Sequence, residues 1–312
     1  MAFAFNRAEF EEVEFQTLDH LTLKARLYPA AKRGPAIIMN PGFNCTKEIS
    51  APSAAAYFQQ AGITAFLFDP RNCGQSEGTP RREIDPHKQV DDYMDAMTFV
   101  SELPIVDPAQ IGFWGVSYSA SIALAAACYD PRAALVMAVS PWTFNFNVPV
   151  ELAKENFAKL VSERESQSLG NEPFYTPMLD GEGRNPINIG VDWGEEVRAA
   201  VNDFTELSAD GFVPTVTLQS YFKLFTFSPY VALPYLGETP MMLVCPEQDT
   251  ICPVEEQMRL YEAVKGPKDV FHAKGKRHLN MLAEDATFEP MMRAQVEFLR
   301  RALKGMNGVN GH

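Results

Sequence analysis

Residues 111–129, IGFWGVSYSASIALAAACY, constrain the fold more than any other stretch of this 312-residue chain. A short apolar run, a turn built around Gly115 and Ser117, and an alanine-rich helix follow one another without a spacer. A strand that turns sharply into a helix lifts the turn residue above the sheet's edge and aims the helix N-terminus at it. A serine in that place is a nucleophile elbow. The usual pattern is G-x-S-x-G; Ser119 stands here for the last glycine, and a small residue still lets strand and helix cross closely. On five residues alone, a serine capping an ordinary helix reads the same way, so the partners must decide.

The surrounding pattern supplies the sheet that such an elbow needs. EEVEFQTL and LTLKARLY, separated by Asp19 and His20, suit an antiparallel hairpin. Continuous apolar runs follow at 36–39, 63–68, 111–115, 133–139, 241–245 and 269–273, alternating with longer helix-like segments. Runs of that kind are strands of a parallel sheet buried on both faces. Val90, Met94, Met97 and Val100 recur at helical spacing, as do Val254, Met258, Tyr261 and Val264 before Gly266, and Met292, Val296, Leu299 and Leu303 before Gly305. The fold class is α/β, with a mostly parallel central sheet. Residues 142–238 break the rhythm with charged helix-like sequence, the turn tract DGEGRNP and the aromatic tract SYFKLFTFSPY. They are too long for a plain connection. The expected organisation is a core in two parts, 1–141 and 239–312, with 142–238 inserted as a cap over the sheet's carboxyl edge.

A serine hydroxyl needs a base oriented by a carboxylate, and on this architecture the order along the chain is Ser, Asp, His. Asp249 follows the run MMLVC, and His278 follows DVFHA after room for one helix and one strand. His20 sits in the early turn, His87 at a helix start, His272 within a strand at a core or edge position and His312 at the terminus, which leaves His278. Glu247 shares the loop of Asp249 and is the second choice for the carboxylate. Oxyanion donors are expected from the Tyr118 N–H, just after the nucleophile, and from the Phe43 N–H in the early loop NPGF. Asp69 and Arg71, in FDPRNCGQSEG, read as a pair bracing the loops beside the site. Arg81, Arg82, Lys274, Lys276 and Arg277 read as solvated surface.

The net charge of −13 disfavours nucleic acid, which binds through clustered Lys and Arg. Five scattered cysteines with no close-paired spacing point to a reducing compartment and no structural metal. No phosphate-binding or nicotinamide motif is present, so no cofactor is expected. The N-terminus turns acidic too early for a signal peptide, and no apolar run reaches the roughly 18 residues of a membrane span. A cytoplasmic protein is the expectation; the oligomeric state is left open.

The runs KRGPAIIMNPGFNCTKE, FDPRNCGQSEGTPRREIDPHKQVDDY and LPIVDPAQIGFWGVSYSA, with Asp249 and His278, resemble the fungal polyketide transferase and hydrolase family within the α/β-hydrolase superfamily. The resemblance covers most of the sheet-forming chain and is weakest across residues 142–238. It implies Ser117 as nucleophile, Asp249 and His278 as its partners, and the Pro41-Gly42-Phe43 loop in the oxyanion site. It further implies a lipophilic polyketide-like acyl substrate from secondary metabolism, either free or bound to a carrier protein. The foremost reading is hydrolysis of an ester or thioester through an acyl-Ser117 intermediate. Transfer of the acyl group to an alcohol, or non-covalent cyclisation on the same scaffold, are the alternatives. Phe222, Phe225 and Tyr230, with Tyr221 and Phe227, suit an acyl chain or else form the core of the insertion itself.

Overall fold

The structure, a computed structural model, describes residues 9–143, 150–180, 184–187, 197–199, 201, 203–204 and 212–309. His312 and part of the DGEGRNP tract lie outside them. The hairpin is β1 (Glu11–Gln16) and β2 (Thr22–Tyr28), paired antiparallel. Then come β3 (Gly34–Asn40), α1 (Pro52–Gln60), β4 (Thr64–Phe68), α2 (Pro86–Ser101), β5 (Val106–Val116), α3 (Tyr118–Tyr129) and β6 (Leu135–Val139). The interval after β6 holds α4 (Val150–Ser168), the short pair β7 (Tyr175–Pro177) and β8 (Thr215–Thr217), and α5 (Leu218–Phe225). The chain closes with β9 (Met241–Pro246), α6 (Val254–Ala263), β10 (Lys268–Ala273) and α7 (Phe288–Val309).

Eight strands form one sheet in the order β1-β2-β4-β3-β5-β6-β9-β10, parallel from β4 to β10. Every residue of β4, β6 and β9 is buried, which is why their sequences are unbroken apolar runs. One face packs against α1 and α7 through Phe58, Met291, Met292 and Leu299. The other packs against α2 and α3 through Tyr93, Met97, Ile122 and Ala126, and that apolar cluster continues into the interval after β6.

Two helices depart from the simple stripe. On α6, Val254, Met258 and Tyr261 are only half-buried, while Gln257 and Leu260 are fully buried. The helix is turned so that an amide, not a methionine, faces the core. α7 runs through Gly305 rather than stopping there, because a glycine inside a packed helix costs only about 1 kcal/mol.

The interval between β6 and β9 is fastened to the sheet-forming chain by polar bonds as well as apolar contact. Asn44 Nδ2 donates to Val213 O at 2.9 Å, the Ile84 N–H donates to Ser220 Oγ at 2.9 Å, and Lys223 Nζ reaches Glu83 at 2.6 Å and Asp85 at 2.8 Å.

Candidate active site

Ser117 sits between β5 and α3 with φ 59° and ψ −124°, a conformation that costs an ordinary residue roughly 1–3 kcal/mol. Its backbone is held on both sides: its N–H donates to Val139 O at 2.8 Å, and its carbonyl accepts from Trp142 N at 3.1 Å. Gly115 permits the turn, since a Cβ there would stand 2.2 Å from Ser119 O and 2.6 Å from Ala120 N, backbone atoms that cannot give way.

The three residues distant in sequence meet. His278 Nε2 lies 2.7 Å from Ser117 Oγ, and His278 Nδ1 lies 2.9 Å from Asp249 Oδ2. A carboxylate only accepts, so Nδ1 carries the hydrogen and Nε2 is left to accept from the serine. That is the protonation pattern of a general base aimed at a nucleophile. Asp249 Oδ1 accepts from the N–H groups of Ile251 at 3.0 Å and Cys252 at 2.8 Å, while Oδ2 also accepts from Gln257 Nε2 at 2.9 Å. Burial pushes the Asp249 carboxyl up, but the adjoining His278 ring, the Ser140 hydroxyl and the Cys252 N–H outweigh it and hold the group below its usual range. Glu247 is directed elsewhere: its Oε2 accepts from Gly275 N at 2.9 Å.

Asp249, Cys252 and His278 also bring one ligand atom each within 4.8 Å of the others. Asp249 and His278 are bonded to each other, and burial beside Asp249 pushes the Cys252 thiol well up, so it is held as a neutral S–H.

The loop after β3 comes down beside the elbow. Gly42 lies over Ser117, where its Cβ position is 3.6 Å from the serine Cβ, and the Phe43 ring packs edge-on against Tyr118 and Trp142 at 5.7 Å each. The loop that carries Phe43 therefore lies beside Ser117 and the residue that follows it.

A cavity of about 90 Å³ opens over Ser117 and His278. Its walls are apolar: Phe43 and Val116 from the core strands and loops, Met178, Phe204 and Phe212 from the interval after β6, and Met281 from the loop after β10. Phe222, Phe225 and Tyr230 do not line it. Phe222 and Phe225 pack on Phe157 of α4, with ring centroids 6.2 and 5.5 Å apart, because the apolar face of α5 turns toward its neighbouring helix. Tyr230 is half-buried near Glu256 and Arg259 of α6. Phe222 and Phe225 thus pack within the interval after β6, whereas Phe227 packs edge-on against His87 of α2, with ring centroids 5.2 Å apart.

Several basic residues prove to be anchors rather than solvated surface. Lys276, 1 % exposed, donates to Asn280 O at 2.9 Å, Ala283 O at 3.0 Å and Asp285 at 2.7 Å, pinning the loop that carries His278. Arg81 donates to Gly74 O at 2.6 Å, and Arg82 lies over the Tyr175 ring. Asp69 and Arg71 brace neighbouring loops without pairing with each other. Asp69 is engaged by Lys47 at 3.0 Å, and Arg71 by Asp92 at 2.6 Å and Asp19 at 2.8 Å. Sequence reading missed Lys47, Gln257 and Ser140. Ser140 follows an apolar strand at the sheet's carboxyl edge, as Ser117 does, and that position was the available signal.

Residues 41–289 match the family model described as "Alpha/beta hydrolase family". The chain is 72% identical over 305 residues to "Acyltransferase drtE" of Aspergillus calidoustus, covering 98% of this chain and 99% of that protein. It is 42% identical over 305 residues to "Polyketide transferase claH" of Penicillium crustosum, covering 94% and 98%. A "Thiohydrolase" of Eupenicillium brefeldianum is 42% identical over 290 residues, covering 93% and 94%.

Proposed function

The chain belongs to the alpha/beta hydrolase family, and on that premise we propose that it forms an acyl-Ser117 intermediate from a polyketide-like ester or thioester and passes the acyl group to an alcohol or to water. That it is an ester- or thioester-acting enzyme follows from the family and from relatives named acyltransferase, polyketide transferase and thiohydrolase. The residue assignment rests on one observation above all: His278 Nε2 stands 2.7 Å from Ser117 Oγ at the floor of an apolar cavity.

In this mechanism His278 takes the Ser117 proton as the hydroxyl attacks the acyl carbon. The charge that develops on the carbonyl oxygen is met by the Phe43 and Tyr118 N–H groups. The same imidazole then protonates the departing thiol or alcohol. In the second half His278 removes a proton from the acceptor, which attacks the acyl-serine and frees Ser117. Asp249 holds the imidazole's tautomer and stabilises the cation it becomes.

Water and alcohol differ only as acceptors in that second half. Two observations favour transfer: the apolar walls disfavour water at the acyl-serine, and the relative at 72% identity is named an acyltransferase. Residues 142–238 act as a cap that supplies part of those walls. A carrier protein is a suitable acyl donor, and a cytoplasmic setting agrees with five buried free thiols. Among the described residues no helix is long and apolar enough to cross a membrane.

Two measurements test the reading. A fluorophosphonate probe is expected to label the wild type and not Ser117→Ala; equal labelling would end the assignment. An acyl thioester incubated with and without a medium-chain alcohol is expected to give ester when the alcohol is present. Free acid as the sole product in both cases would return the enzyme to hydrolysis.

A further inference from the structure

Ser140 lies between the two partners of Ser117. Its Oγ is 2.5 Å from Asp249 Oδ2 and 2.9 Å from His278 Nδ1, and the residue is fully buried where the chain leaves β6. We infer that Ser140 is a positioning residue of this site, one that fixes the tautomer and the plane of the His278 ring; this rests on the acyl-Ser117 reading above.

Proton accounting gives the role. Ser140 has one hydroxyl hydrogen, and the carboxylate, which can only accept, takes it. The remaining lone pairs of Ser140 Oγ then face Nδ1. They are satisfied there only when Nδ1 carries a hydrogen, and that tautomer leaves Nε2 free to accept from Ser117. With Nδ1 bare, the ring would present a lone pair both to Asp249 Oδ2 and to Ser140 Oγ. One hydroxyl therefore disfavours the unproductive tautomer and gives Nδ1–H a second acceptor beside the carboxylate.

The backbone supports this assignment independently. Ser140 has φ 50°, in the left-handed region that favours glycine, and its N–H donates to Val244 O at 2.8 Å. A glycine would meet that backbone requirement without strain. The serine instead keeps a strained conformation with its side chain aimed at the triad, the kind of outlier from which a functional role is argued.

Because glycine is at ease at φ 50°, Ser140→Gly removes the hydroxyl while relieving the backbone; Ser140→Ala is the second variant, keeping the Cβ. Turnover of p-nitrophenyl hexanoate is measured for both, together with the thermal midpoint. The expected result is a kcat lower by about tenfold or more, the scale of one lost charge-assisted hydrogen bond, with KM changed less than about twofold. In an Asp249→Asn background, adding Ser140→Gly is expected to change the fluorophosphonate labelling rate by less than about twofold, since the carboxylate to which the hydroxyl donates is gone. Unchanged kcat in either folded variant overturns the inference. An equal loss with and without Asp249 also overturns it, since that is what a merely structural role gives. Undiminished turnover in Ser117→Ala overturns the underlying acyl-enzyme reading instead, which keeps the two failures apart.

Discussion

The Ser119 hydroxyl, in the first turn of α3, lies 2.8 Å from Asn40 Oδ1 at the carboxyl end of β3, and it also bonds the Pro41 carbonyl. Asn40 in turn donates to Phe68 O at 3.1 Å. The residue that departs from the usual elbow pattern thus ties the nucleophile's helix to the loop that carries Phe43. The hydroxyl has one hydrogen to give, and Ser119→Ala takes that donor away from a buried acceptor, a cost of about 1–3 kcal/mol. Because the loosened loop carries a proposed oxyanion donor, kcat is expected to fall several-fold with little change in KM. Urea unfolding and steady-state kinetics on the variant check both; unaltered stability would show the bond to be idle.

Lys47 is the buried cation behind the same loop. Its Nζ reaches Asp69 at 3.0 Å and Gln75 Oε1 at 2.7 Å, and its N–H donates to Asp69 Oδ1 at 2.6 Å. Removing one partner strands the other charge away from water, which costs about 3–5 kcal/mol, more than the intact pair contributes. Lys47→Met is expected to destabilise by that amount. Adding Asp69→Asn should recover part of the loss, because the stranded charge is gone. Denaturation of the single and double variants decides it, and strictly additive losses would argue against coupling.

Much of the fold, and the meeting of Ser117, His278 and Asp249 at the candidate site, were legible because each is signalled locally at a strand end. Unbroken apolar runs give buried parallel strands, and the elbow forces Ser117 to the sheet's edge, where Asp249 and His278 follow from strand ends. What escaped depends on which way a side chain turns after the backbone is placed. Lys47 and Lys276 look like surface residues until the loops fold over them. Gln257 is visible as a partner of Asp249 only once α6 is rotated, and Phe222 and Phe225 could serve a ligand or a neighbouring helix until α4 is laid against them.

Asp249 links folding to pH. Its folded carboxyl is held below the ordinary range, so the unfolded chain binds the proton more readily. The stabilisation is fully present above the unfolded value of about 3.9 and is lost as pH falls through the folded one. Wild type is therefore expected to exceed Asp249→Asn in unfolding free energy at pH 6, and the gap should narrow below about pH 4. Urea melts at pH 6 and pH 3 measure it. A gap that widened on acidification would reverse the sign assigned to this group.

The cavity walls and the aromatic tract make opposite predictions for acyl-chain selectivity. Phe212 lines the cavity and packs edge-on against Phe204 at 5.7 Å, whereas Phe225 packs on Phe157 outside it. Contact with each buried methylene of a substrate is worth about 1–3 kcal/mol, or roughly 10- to 200-fold in kcat/KM. Phe212→Ala is therefore expected to lower kcat/KM for a p-nitrophenyl decanoate by about tenfold or more and to lower it less for the butyrate, whose shorter chain buries fewer methylenes. Phe225→Ala should lower the thermal midpoint and leave the decanoate-to-butyrate ratio unchanged, because it removes packing between α4 and α5 outside that cavity. Kinetics with the two esters on both variants separate these effects. If Phe225→Ala alone shifted the chain-length ratio, the acyl chain would have to run between α4 and α5, and the cavity over Ser117 would be only its entrance.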